Sequence, residues 1–182
     1  MRKCFIPVVL LLCLLCGCAS HFESAPVTEP KDLSTMTDED LIMHISERLW
    51  ATVFSDADAQ VGFAGLTEHQ KVVFALNYLD MEVANGGLCQ FFANDRGLVA
   101  PYISEYLKSV GAEEHKGLFD GFLAKHGIDA NDLSEFSFMT IDEFVALYEL
   151  YPFDEFDNAY YQLPPLSSYL APLVREYPEE FL

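Results

Sequence analysis

From His126 to Val174 the chain contains no lysine and no arginine, while Asp129, Asp132, Glu135, Asp142, Glu143, Glu149, Asp154, Glu155 and Asp157 all fall there. That absence excludes a phosphate-neutralising surface in this half, because nucleic acid and anionic lipid are held by cations. Cysteine is nearly as scarce: beyond position 18 there is one, Cys89. An intramolecular disulfide is therefore excluded in that part of the chain, and Cys89 reads as a small buried apolar residue with no neighbouring cation to favour its thiolate. Metal-ligand spacing is missing too. His21, His44, His69, His115 and His126 form no H-x-x-x-H or Cys/His pattern, so no metal and no cofactor are expected. Asp56-x-Asp58-x-Gln60 opens like a calcium loop, yet Gly62 comes one place late and Thr67 stands where a bidentate Glu is needed. Asp129-x-Asn131 fails similarly at Ser134. No glycine-rich phosphate loop or nucleophile elbow occurs, and Asp80 and Glu82, two apart on a helix, point to different faces. The chain is not expected to be an enzyme.

Long apolar runs are also few. The longest, Phe5 to Leu15, is eleven residues, too short to cross about 30 Å of hydrocarbon as a helix. Arg2 and Lys3 precede it and Leu15-Cys16-Gly17-Cys18-Ala19 follows. This resembles a bacterial lipoprotein signal over residues 1–17, with Cys18 as the lipidated residue and Ala19 compatible with onward export. The expected location is the cell envelope, at the outer membrane facing the periplasm. Residues 18–36, with Ser20, Ser24, Pro26, Thr28, Pro30 and Ser34, read as a flexible tether.

What is present in abundance is negative charge: 29 Asp and Glu against 10 Lys and Arg, a net −19. Loss of Arg2 and Lys3 with a signal would deepen it. Such a surface suits a basic partner, and equally suits plain solubility.

The remaining residues, 37–182, fit one domain. Thr37-Asp38-Glu39-Asp40 predicts an N-cap, with Leu41, Ile42, Ile45, Leu49 and Val53 on one helical face. Asp56 to Gly65 reads as a loop. Thr67 caps the next helix, whose buried face is Val72, Leu76, Leu79 and Val83, and Asn85-Gly86-Gly87 ends it. A short aromatic helix, Leu88 to Asn94, follows. Further helices are expected around Ile103 to Val110, around Leu118 to His126, after Thr140, from Asp154 to Tyr161, and from Leu166 to the end with a break near Pro172. No stretch alternates with period two, so the fold should be all-α.

The most specific pattern runs from Glu82 to Gly97. Phe91 and Phe92 should anchor the corner in the core. Gln90 and Asn94, four apart on one face, either bind a partner or satisfy the corner's backbone groups. The residues Glu82, Asn85, Gly86, Gly87, Gln90, Phe91, Phe92, Asn94 and Gly97, with Val110-Gly111-Ala112 and Tyr160-Tyr161, resemble an all-helical bacterial family that includes a DNA-mimic protein. The resemblance spans about Thr37 to Leu182 and implies an acidic surface that imitates duplex phosphates and occupies a DNA-binding regulator. Leu88, Cys89 and Asp95 depart from the residues usual in the family.

A mimic tethered outside the cytoplasm would meet no nucleoid protein. The expectation is therefore a lipid-anchored, acidic protein-binding module of the envelope, an inhibitor or immunity-like protein for a basic partner. Asp142, Glu143, Glu149, Asp154, Glu155 and Asp157 are the candidate contacts. The alternatives are an envelope enzyme or small-ligand binder using the Glu82, Gln90 and Asn94 region, and a DNA-mimic regulator of a DNA-binding protein.

Overall fold

Thr37 acts as the first cap: its Oγ1 accepts the Asp40 N–H at 3.2 Å, and Asp38, Glu39 and Asp40 fill the first turn of α1 (Asp38–Val53). Acids there complement the helix dipole. The computed structural model describes residues 33–55, 57–95, 98–137 and 140–182. The expected signal, Cys18, most of the tether, Asp56 and Gly97 lie outside the described residues. The tether's last residues do not fit the expected spacer. Leu33–Thr35 form a 3-10 turn, and Leu33 and Met36 pack against the core, which binds their apolar surface.

The loop expected between Asp56 and Gly65 contains a helix, α2 (Ala59–Ala64). Asp58 caps it by accepting the Gln60 N–H at 2.9 Å. Gly62 lies so close to Val53 that a Cβ would overlap the Val53 carbonyl. Six residues are too short to display a period, so packing rather than pattern makes this helix.

Thr67 and Gln70 then form a reciprocal cap: the Gln70 N–H donates to Thr67 Oγ1 and the Thr67 N–H to Gln70 Oε1. They open α3 (Glu68–Asp95), which is two helical limbs joined across Gly86 and Gly87. Gly86 is extended, and Gly87 has φ +78°. The predicted end after Asn85 and the predicted second helix are both there, in the form of a sharp break.

After the 3-10 turn Ala100–Tyr102 come α4 (Ile103–Ser109) and α5 (Glu113–His126), ended by left-handed Gly127. The 3-10 turn Ser134–Phe136 leads to α6 (Ile141–Leu150), where Thr140 and Glu143 make a full capping box. Then follow α7 (Phe153–Tyr160) and α8 (Ser167–Glu176). The break expected at Pro172 is absent, since α8 runs through it. Pro172 and Ser168, whose carbonyl loses its amide partner to the proline, are both exposed, so water can serve that carbonyl. The chain turns only at Tyr177, into the 3-10 turn Pro178–Glu180.

Among the described residues every regular element is helical, so the fold class is all-α. Helix α3 is the hub, touched by α1, α4, α7 and α8, while α5 packs on α4 and α7. The core is aromatic: Phe74, Phe91, Phe92, Phe119, Phe136, Phe153 and Phe156 are almost wholly buried. Phe92 alone meets Phe136 at 4.8 Å and Phe119 and Phe153 at 6.4 Å between ring centroids.

Candidate functional site

The break in α3 exposes backbone groups that a continuous helix would satisfy, and the residues of the Glu82 to Gly97 pattern flank it in the sequence. Gln90 and Asn94 donate to a side chain rather than to the corner's backbone. Both donate to one oxygen, Glu82 Oε2, at 2.8 and 2.7 Å. Glu82 sits on the first limb and is 6 % exposed. A buried carboxylate without such donors would be costly. The two amides thus pin the second limb to the first across the glycines.

The corner amide is satisfied from elsewhere. The Leu88 N–H donates to Asp157 Oδ1 at 2.9 Å, and the Tyr148 hydroxyl donates to the same carboxylate. Gly87 must lack a side chain twice over: its φ is left-handed, and a Cβ would overlap Asp157 Oδ2. Burial pushes Asp157 up to about 6, with nearby Asp154 adding to the rise and the Leu88 and Tyr148 hydrogen bonds opposing it. Tyr161 donates to the Val83 carbonyl at 2.6 Å, and Tyr160 to Asp80 Oδ1 at 2.8 Å. Just past the motif, buried Asp95 accepts the Val99 and Ala100 N–H groups at 2.7 and 3.0 Å. The motif's described residues therefore act together as a structural corner. Phe91 and Phe92 are fully buried, as expected, and so is Cys89, whose thiol burial pushes up to about 12.

Five of the six acidic candidates are exposed, and the sixth, Asp157, is not. Asp142, Glu149 and Asp154 are exposed. Glu143 is exposed as well, but its Oε2 accepts the Thr140 N–H at 3.0 Å in the capping box. Glu155 approaches Lys125 at 3.5 Å with both side chains well exposed, a pair that screening leaves weak. Asp157 points inward at the corner. Nothing in its sequence neighbourhood marked it as different from Asp154, since the amide it serves is 69 positions away.

Two further features escaped the sequence reading. Helix α6 has no fully buried residue. Phe144, Leu147 and Tyr148 lean on the core, while Ile141, Val145 and Leu150 are 56, 44 and 68 % exposed. Ile141 and Val145, at i and i+4, were a visible signal of that second apolar stripe, with Asp142 and Glu149 beside it. The other feature is a cavity of about 210 Å³ beneath Asp80, His115, Tyr160 and Tyr161, built by side chains from three helices that no spacing rule joins.

An all-helical acidic domain folded around a glycine break and a hydrogen-bonded internal carboxylate is the class these features define. The chain belongs to the DMP19-like protein family, whose model matches residues 64–180. That span takes in the break, the Glu82 cluster, the acidic tract and the cavity, and the family is the DNA-mimic one that the sequence resembles. No curated protein and no solved structure matches the chain.

Proposed function

We propose that this protein is an acidic protein-binding module with no chemistry of its own, which holds a basic partner through the solvent-facing carboxylates of α6 and α7. The observation that carries this reading is that Asp142, Glu149 and Asp154 stand exposed on a stretch without one lysine or arginine from His126 to Val174. Unpaired like charges at a surface raise the local potential and steer a complementary partner. Membership of the DMP19-like family supports a protein partner. The finer reading is that Cys18 carries lipid after removal of residues 1–17, and that the module works in the bacterial envelope as an inhibitor or immunity-like protein.

The test is salt-resolved capture with the full chain. A partner should bind at low salt, elute in high salt, and be lost with Asp142→Asn, Glu149→Gln, Asp154→Asn and Glu155→Gln combined. Retention by the neutralised variant would reject the acidic face. Palmitate labelling abolished by Cys18→Ala supports the anchor, and unchanged labelling rejects it.

A second reading follows from the family: the same carboxylates stand in for duplex phosphates and occupy a DNA-binding protein. Under it, the captured protein binds duplex DNA, and the chain displaces that DNA in competition.

A further inference from the structure

The cavity under Asp80 is short of donors. Asp80 Oδ1 already accepts the Tyr160 hydroxyl at 2.8 Å, and no ion pair among the described residues involves its carboxylate. His115 is 2 % exposed; its ring donates to the Pro164 carbonyl, and Nδ1, buried, has no partner. Tyr161, half exposed at the edge, spends its proton on the Val83 carbonyl at 2.6 Å, so its ring is held in place. Pro164 and Pro165 complete an apolar wall. Every donor bordering the cavity is engaged, and what remains are acceptors and an aromatic face.

From this geometry we infer that the cavity is a binding site for a cationic N–H donor, a guanidinium or ammonium group, received by Asp80 and flanked by Tyr161. A cation meets each unsatisfied feature. Its charge offsets the half-buried carboxylate, its N–H groups suit Asp80 and the unpartnered His115 Nδ1, and its flat or compact head can lie against a tyrosine face. The titration of the lining groups agrees. Burial raises Asp80 from its ordinary value, opposed by the Tyr160 hydrogen bond and by His115, and burial lowers His115, opposed by Asp80, Glu114 and Pro164, which favours the neutral ring that can accept at Nδ1. An anion would meet Asp80 and is excluded by charge. A neutral amide would supply donors but leave that charge uncompensated. The site is separate from the carboxylates of α6 and α7 and does not depend on their role.

The probes are N-acetyl-arginine methylamide, N-acetyl-lysine methylamide, methylguanidinium and the neutral isostere N-acetyl-citrulline methylamide. They are titrated into the full chain at about 0.3 M salt, where exposed charges are screened, and followed by amide chemical shifts. The expected result is saturable perturbation at Ala84, His115, Tyr161 and Leu163 by a cationic probe, with citrulline at least tenfold weaker. Methylguanidinium matching the arginine probe indicates a free small cation as occupant; a preference for the longer probe indicates a side chain. Asp80→Asn, which keeps an acceptor for Tyr160, should weaken the cation at least tenfold, while Asp142→Asn and Asp154→Asn leave it unchanged. Equal binding of citrulline, no perturbation at these four residues, or Asp80→Asn binding like the parent overturns the inference. Because the probe comparison uses the unaltered chain, it decides the matter even if Asp80→Asn does not fold.

Discussion

A thiol with no exposed surface, beside a half-buried carboxylate, is badly placed to ionise. Cys89 is held at about 12, first by burial and then by Asp157. With Cys4, Cys13, Cys16 and Cys18 replaced by serine, Cys89 should react with a disulfide reagent at pH 8 at least about a hundredfold slower than a free thiol, and at full rate in denaturant. Fast labelling of the native chain would refute its burial. Asp157 makes a prediction of its own. Its folded value, about 6, lies above the ordinary 3.8, so the native state binds the extra proton. Stability should therefore rise as pH falls from about 6 toward 4, and the cost returns as pH climbs through 6. Glu180 acts in the opposite sense. Thr67 and His69 hold its carboxyl low, so its contribution is complete above its ordinary 4.5 and lost in stronger acid. Urea unfolding between pH 4.5 and 7 should show the Asp157 slope, flattened by Asp157→Asn, which retains an acceptor for Leu88. Asp157→Ala orphans that amide and should cost about 1–3 kcal/mol. Identical slopes in parent and Asn variants would place the proton elsewhere.

At the scale of elements, the break in α3 depends on one glycine more than the other. Gly87 is left-handed and abuts Asp157, so Gly87→Ala should destabilise by about 2 kcal/mol or more. Gly117, inside α5 with open space where a Cβ would stand, should instead gain about 0.5–1 kcal/mol on Gly117→Ala. Denaturant midpoints of the two variants should move in opposite directions; movement together would mean the break is not where the strain lies. These elements also show what could be read in advance. Thr37, Thr67 and Thr140 announced their helices because capping is local chemistry, and Phe91 and Phe92 announced the core because two adjacent aromatics beside a break must be buried. What Glu82 does for Gln90 and Asn94 was half visible: the shared face was legible, the buried oxygen between them was not. Asp157, Asp80 and His115 were invisible as a group, since each acquires its role from a residue far off in the chain. Helix α2 was missed because a glycine fitted against Val53 leaves no periodic trace.

For the whole molecule, charge is the dominant quantity. A net −19 repels itself, and the ion pairs among the described residues lie at exposed or part-exposed positions that offer little in return. Unfolding temperature should climb as salt rises from about 0.02 to 0.3 M, where the screening length falls to about 6 Å. A fall with added salt would mean that specific ion pairs, rather than repulsion, govern stability. The far end of the chain has a different kind of influence. Arg175 reaches Asp38 at 2.6 Å, Arg48 donates to the Phe181 carbonyl at 2.8 Å, and Glu180 receives Thr67 and His69. A ribosome that has released everything up to Val174 has therefore made α1 and α3 without the residues that tie their ends together. Such contacts, spanning more than a hundred positions, carry the largest loop-closure entropy and form late. Arg175→Ala should therefore loosen the start of α1, more than a hundred positions away, and speed amide exchange there before the core of α3 is affected.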